Sequence, residues 1–126
     1  MLELTINEKV YQFHFGMGFM REINKTVGTP VDGLPDVKKN IGLQYYVAGV
    51  IDGDIEALVD VLDIANKKQN PRVTRDQLDA YIDDESTDID ALFEGVMDFL
   101  KSANATKKTV ANLLEMVEQE KAKANK

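Results

Sequence analysis

The chain has 126 residues, 44% of them hydrophobic, which suits one domain with a modest core. Its net charge of −7 argues against a nucleic-acid partner and an anionic membrane surface. Without cysteine it has no disulfide, thiolate nucleophile or cysteine-based zinc site.

Leu2, Leu4 and Ile6 alternate with polar residues, as do Tyr11, Phe13 and Phe15. Period two on both sides of Asn7-Glu8-Lys9 predicts a β-hairpin whose apolar face lies on helices. Glu8 stands where glycine would best suit the turn. The opening Met1-Leu2-Glu3-Leu4 lacks the apolar run of a signal peptide. Phe19, Ile23 and Val27, with Met20 beside them, predict a short helix ending near Gly28. Pro30, Gly33 and Pro35 predict a loop over 29–36, and a further helix should begin near Asp36.

The most apolar stretch, 41–65, is the expected centre of the fold. Its first half is apolar almost all round, predicting burial on several sides. Its second half carries Ile55, Leu58, Val59, Leu62 and Ala65 at helical spacing. Asp52-Gly53-Asp54 breaks the two, with Gly53 ending one helix and either aspartate capping the next. Pro71 stops continuation, and Thr74 with Gln77 forms a capping box for a short helix burying Leu78, Tyr81 and Ile82. After a polar break at 83–86, Thr87 or Asp88 starts a helix with the stripe Ile89, Leu92, Phe93, Val96 and Leu100. Asn104-Ala105-Thr106 interrupts again, and the last helix carries Val110, Leu113, Leu114 and Val117. No run of about 18 apolar residues is present to span a membrane. The expected fold is thus a mainly α, small single-domain helical bundle with an N-terminal β-hairpin. Residues 1–16 form the hairpin, 17–106 a helical body, 107–120 a C-terminal helix and 121–126 a frayed tail.

Catalytic and metal-binding patterns are weak. His14, the only histidine, should point away from the apolar face of the hairpin, and Ser86 and Ser102 sit at helix ends where capping explains them. Counting from Asp52 or from Asp83 puts no glycine at the sixth position of a calcium loop, although Glu94 falls twelfth from Asp83. Gly16-Met17-Gly18 lacks the rest of a phosphate loop. Met20 and Met97 read as core filler, whereas Met116 lies on a helix with nothing after it to cover it. From Asp76 to Asp98 nine acids occur with no lysine or arginine, a solvated face or, alternatively, a mimic of DNA phosphates. No cofactor, metal or catalytic residue is assigned. Val110, Leu113, Leu114, Met116 and Val117 form the candidate partner-binding surface. Their stripe is large enough to dock on the body, and the polar joint before it would also let the helix exchange for a client helix or a second subunit.

Four segments in register, LTINEKVYQFHFGMGFMREINK, GLQYYVAGVIDGDIEALVDVL, RVTRDQLDAYIDD and SANATKK, resemble tail assembly chaperones of long-tailed, siphovirus-like phages and prophages of Gram-positive bacteria. The Asn-Glu turn departs from the expected Asn-Gly. The resemblance implies a non-enzymatic protein of the host cytoplasm that is left out of the finished virion. It implies binding and solubilising of the helical tape measure protein and recruitment of tail tube subunits. It also implies a longer form made by ribosomal frameshifting; lysines 121, 123 and 126, with A-rich codons, are compatible with a slippery run. Self-association is a further expected interaction. A structural tail component is the other alternative to the chaperone.

Overall fold

A computed structural model describes residues 1–124. Strands β1 (Leu2–Ile6) and β2 (Lys9–Phe13) pair antiparallel, with Leu2 opposite Phe13 and Leu4 opposite Tyr11. That register puts the apolar residues of both strands on one face, where Tyr11 and Phe13 are buried and Leu2 and Leu4 half-buried. The turn forms despite Glu8: Asn7 and Glu8 take φ of 52° and 67°, the pair of positive values a tight type I′ turn needs. Phe15 continues the apolar line into α1 (Met17–Asn24), packing edge-on to Phe19 and stacking on Phe99.

The next stretch corrects the sequence reading. Helix α1 stops at Asn24, short of Gly28, and the predicted loop and helix start over 29–40 are instead a second hairpin. Strand β3 (Gly28–Val31) pairs antiparallel with β4 (Leu34–Asn40) around Asp32-Gly33, where Gly33 has φ of 79°. Pro30 and Pro35 suggested a loop because they donate no N–H. In a two-stranded ribbon every strand is an edge, so a proline can sit where its missing donor would have faced solvent. The expected helical bundle with one hairpin is therefore a mixed α/β fold, mainly helical, with two separate hairpins among the described residues.

The centre also shifts. Helix α2 (Gly42–Ile51) is less enclosed than its composition predicts: Leu43, Val47 and Val50 are buried, but Tyr45 is 58% exposed. Helix α3 (Ile55–Asn66) is the buried one, with Leu58, Val61 and Leu62 fully enclosed. Its predicted stripe departs only at Ile55, which is exposed. Gly53, at φ of 78°, turns the chain between them, and Asp54, not Asp52, caps α3 by accepting the Glu56 N–H at 3.0 Å. Two glycines let α2 approach its neighbours. A Cβ on Gly42 would lie 1.8 Å from the Ile23 carbonyl oxygen, and one on Gly49 would lie 2.7 Å from the Ala57 Cβ.

Helix α4 (Arg75–Asp83) starts at the expected capping box, with Thr74 Oγ1 accepting from Gln77 N and Gln77 Oε1 accepting from Thr74 N. The Gln77 amide also donates to the Tyr11 hydroxyl, tying this turn to the first hairpin. Arg75 spans to α3, bonding Asp60 at 2.8 Å. Helix α5 (Ile89–Ser102) is capped by Asp88 and buries Leu92, Val96 and Leu100. Helix α6 (Lys107–Ala124) runs past the expected end at Glu120, so residues 121–124, read as frayed, are helical; residues 125 and 126 lie outside the described residues. One hydrophobic cluster joins β1, β2 and all six helices, from Ile6 to Val110. Neither β3 nor β4 contributes to it.

Candidate partner-binding surface

The joint before α6 is fixed by a buried hydroxyl. Thr106 is fully enclosed and donates to the Leu100 carbonyl at 2.6 Å, locking the turn that swings α6 back along α5 and α2. Four residues on, Val110 is also fully buried. Leu113 and Leu114 are half-buried against the same cluster. The five residues read from sequence as one surface thus separate. Val110 is core, Leu113 and Leu114 are packed from one side, Val117 is half-buried, and Met116 is 60% exposed.

What remains open is a groove of about 390 Å³ between the C-terminal halves of α2 and α6. Leu113, Met116, Val117, Glu120 and Lys121 line one wall at helical spacing; Ala48, Ile51 and Asp52 line the other. Floor and walls are apolar, and Asp52, Glu120 and Lys121 make a charged rim. Tyr45 stands one turn before Ala48 on the same side of α2. Sequence periodicity found the α6 wall. The α2 wall was missed because that helix read as wholly interior; the excess of apolar residues over what the core encloses was its only signal.

The other candidates are ordinary in place. His14 is exposed, its backbone N–H bonded to the Ala65 carbonyl and its ring beside Gly16. Ser86 Oγ bonds Asp84 and Ser102 Oγ bonds the Phe99 carbonyl. Among the described residues no group of three or more His, Cys, Asp or Glu is placed to hold a metal ion. The acids from Asp76 to Asp98 are all exposed on α4, α5 and the turn between them. Asp84 and Asp88 have local tasks there, accepting from Ser86 and Ala91. Hydrogen bonding to the Ser86 side chain and backbone holds the Asp84 carboxyl below the usual carboxylate range. Among the described residues no helix is long and apolar enough to cross a membrane.

Apolar side chains make up most of this surface, with charge confined to Asp52, Glu120 and Lys121. The model of one family, described as phage tail assembly chaperone protein, TAC, matches residues 3–115. The chain belongs to that family. No curated protein and no solved structure matches it. The match starts at the second residue of β1, covers the rest of both hairpins and helices α1 to α5 of the chaperone, and ends inside α6, just before Met116. Of the groove, Leu113 and the α2 wall fall within the matched span, while Met116, Val117, Glu120 and Lys121 fall beyond it. A chaperone role points to a non-catalytic protein acting during tail assembly.

Proposed function

We propose that this tail assembly chaperone binds the tape measure protein by seating an apolar segment of its helix in the α2–α6 groove. The groove itself supports this reading: an apolar trough with a charged rim, on a body of net charge −7 that would keep an apolar client in solution. The client segment should bring small and branched apolar residues to Ile51, Leu113 and Val117, and a cation near Asp52 or Glu120. Recruitment of tail tube subunits is part of the same proposal, as are action in the host cytoplasm, absence from the finished particle, a siphovirus-like phage of a Gram-positive host, and a longer frameshifted form.

Co-expression tests the binding step. Met116→Asp puts a charge at the mouth of the groove on a residue already 60% exposed, so the melting temperature should stay within about 2 °C, as for most surface substitutions. The soluble fraction of co-expressed tape measure protein should fall severalfold. A Met116→Asp chain that solubilises its client as well as the parent would place the binding surface elsewhere.

A further inference from the structure

The first hairpin is closed along one edge and open along the other. Its tight turn makes Ile6 and Lys9 a hydrogen-bonded pair. Alternation along the ladder then turns the backbone groups of Gln12 away from β1 and those of Glu3 and Thr5 away from β2. The end of α3 seals the outer edge of β2. There the Gln12 carbonyl accepts from the Asn66 amide at 2.9 Å, and the His14 N–H donates to the Ala65 carbonyl at 3.0 Å. Among the described residues no other backbone group bonds the outward N–H and C=O groups of Glu3 or Thr5. Strand β1 thus presents a row of unpaired donors and acceptors.

The helical floor runs on where the sheet stops. A notch of about 220 Å³ has Leu2 and Leu4 on one side and Tyr81, Leu92 and Gly95 on the other, with Asp88 at its edge. Past Tyr81 a second recess of about 200 Å³ is polar, with Thr5, Asp84, Ser86 and Thr87 in its lining. Neither is lined by β2, so both lie on the side of the open edge. Gly95 is an independent sign. It stands in the middle of α5, where glycine weakens a helix, and a Cβ there would meet nothing within 4 Å. No contact within the chain calls for glycine at that place, and the bare position leaves room for a segment arriving from outside.

We propose that β1 is a strand-addition site for an extended, cationic segment of another protein. The segment pairs antiparallel with Glu3 and Thr5, sets an apolar side chain in the notch and, two residues away, directs a lysine or arginine toward Asp84. Alternate residues of a strand face one side about 7 Å apart, which suits two neighbouring recesses. Main-chain bonds give such a segment its hold, and the recesses select its side chains. Charge sets its sign: Glu3, Asp84 and Asp88 are exposed acids, and no lysine or arginine occurs from Asp76 to Asp98. The site shares no residue with the α2–α6 groove, so both can be occupied at once.

The probe is a short blocked peptide of threonines alternating with leucine, lysine and leucine, which reads alike in both directions. Amide solvent exchange in the isotope-labelled full chain is followed by NMR. With the peptide at about ten times its Kd, exchange at Glu3 and Thr5 should slow about tenfold, because the free fraction falls to about a tenth. Glutamate in place of the peptide lysine should weaken binding about tenfold. N-methylating the threonines, whose N–H groups face β1 in antiparallel pairing, should abolish binding, and N-methylating the leucines should not. Thr5→Pro removes an outward donor that the hairpin does not use and should weaken binding about fivefold. Gly95→Lys fills the notch and should abolish binding, while Met116→Asp, in the other groove, should bind like the parent chain. No binding at millimolar peptide, binding that leaves exchange at Glu3 and Thr5 unchanged, or equal binding of the glutamate peptide would each overturn the proposal. Protection of those two amides that rises with protein concentration alone would give the edge to a second copy and overturn it as well.

Discussion

The side-chain oxygen of Asn66 accepts the backbone N–H of Val73 at 2.6 Å, and both residues are buried. The same oxygen accepts from Arg72, and the Asn66 amide donates to the carbonyls of Gln12 and Pro71. One side chain at the end of α3 thus joins the first hairpin to the loop that leads into α4. Asn66→Leu fits the volume but strands the Val73 N–H and two carbonyls. It should cost about 3 kcal/mol, given 1–3 kcal/mol for a buried group left without a partner. Urea unfolding checks this; a loss below 1 kcal/mol would mean that water replaces the amide.

Gly42→Ala should be among the most damaging single-methyl changes in the chain. Its Cβ would overlap the Ile23 carbonyl, and α1 and α2 would have to separate. A loss of about 3 kcal/mol or more is expected, at the upper end for overpacking. Gly95→Ala, with open space around it, should instead stabilise by up to about 1 kcal/mol. The pair of melts should move in opposite directions.

Glu8→Gly should raise stability by about 1 kcal/mol. Glu8 is exposed and holds φ of 67°, a conformation that costs a side-chain-bearing residue about 1–2 kcal/mol and glycine little. The greater unfolded-state entropy of glycine offsets part of the gain. A destabilised Glu8→Gly chain would show that Glu8 makes a favourable contact outweighing its backbone strain.

Glu22 accepts a hydrogen bond from Lys67 at 3.0 Å, and that bond, then the attraction of the charge, lowers its pKa below the ordinary carboxylate value. Because the folded-state value is the lower one, the pair's contribution is present above the unfolded-state pKa. It is lost as pH falls through the folded-state value. Glu22→Gln should therefore remove a small, salt-sensitive part of the stability near neutral pH and converge with the parent chain in acid. Melts at two ionic strengths across pH 3 to 7, a range set by the carboxylate values, provide the check.

Shortening α6 should separate folding from binding. Ending the chain after Glu115 keeps Val110, Leu113 and Leu114 and removes Met116 and Val117 from the groove wall. That chain should stay folded and lose its hold on the client. Removing residues 107–126 also strips the fully buried Val110 and should cost about 4 kcal/mol or more, at 1.5–3 kcal/mol per large apolar side chain. If both truncations melt alike, the first half of α6 is not part of the core.

Local chemistry alone determined much of this protein. Period two fixed the first hairpin and its inward face, and Thr74 with Gln77 fixed the start of α4, because caps act within one turn of chain; for α3 and α5 the sequence narrowed the cap to Asp52 or Asp54 and to Thr87 or Asp88, and the fold selects Asp54 and Asp88. The same locality limited the reading elsewhere. Pro30 and Pro35 look alike in a loop and on the edges of a ribbon, and only the pairing of 28–30 with 38–40 distinguishes the two. Apolar composition could not tell α2 from α3, since burial depends on how many neighbours arrive from distant parts of the chain. Tertiary packing enclosed α3, left Tyr45 and one side of α2 in the open, and split the α6 stripe into a buried Val110 and an exposed Met116. The groove exists only because packing sets α6 beside α2, a helix distant in the chain, so its α6 wall was legible as a periodic stripe and its α2 wall was not.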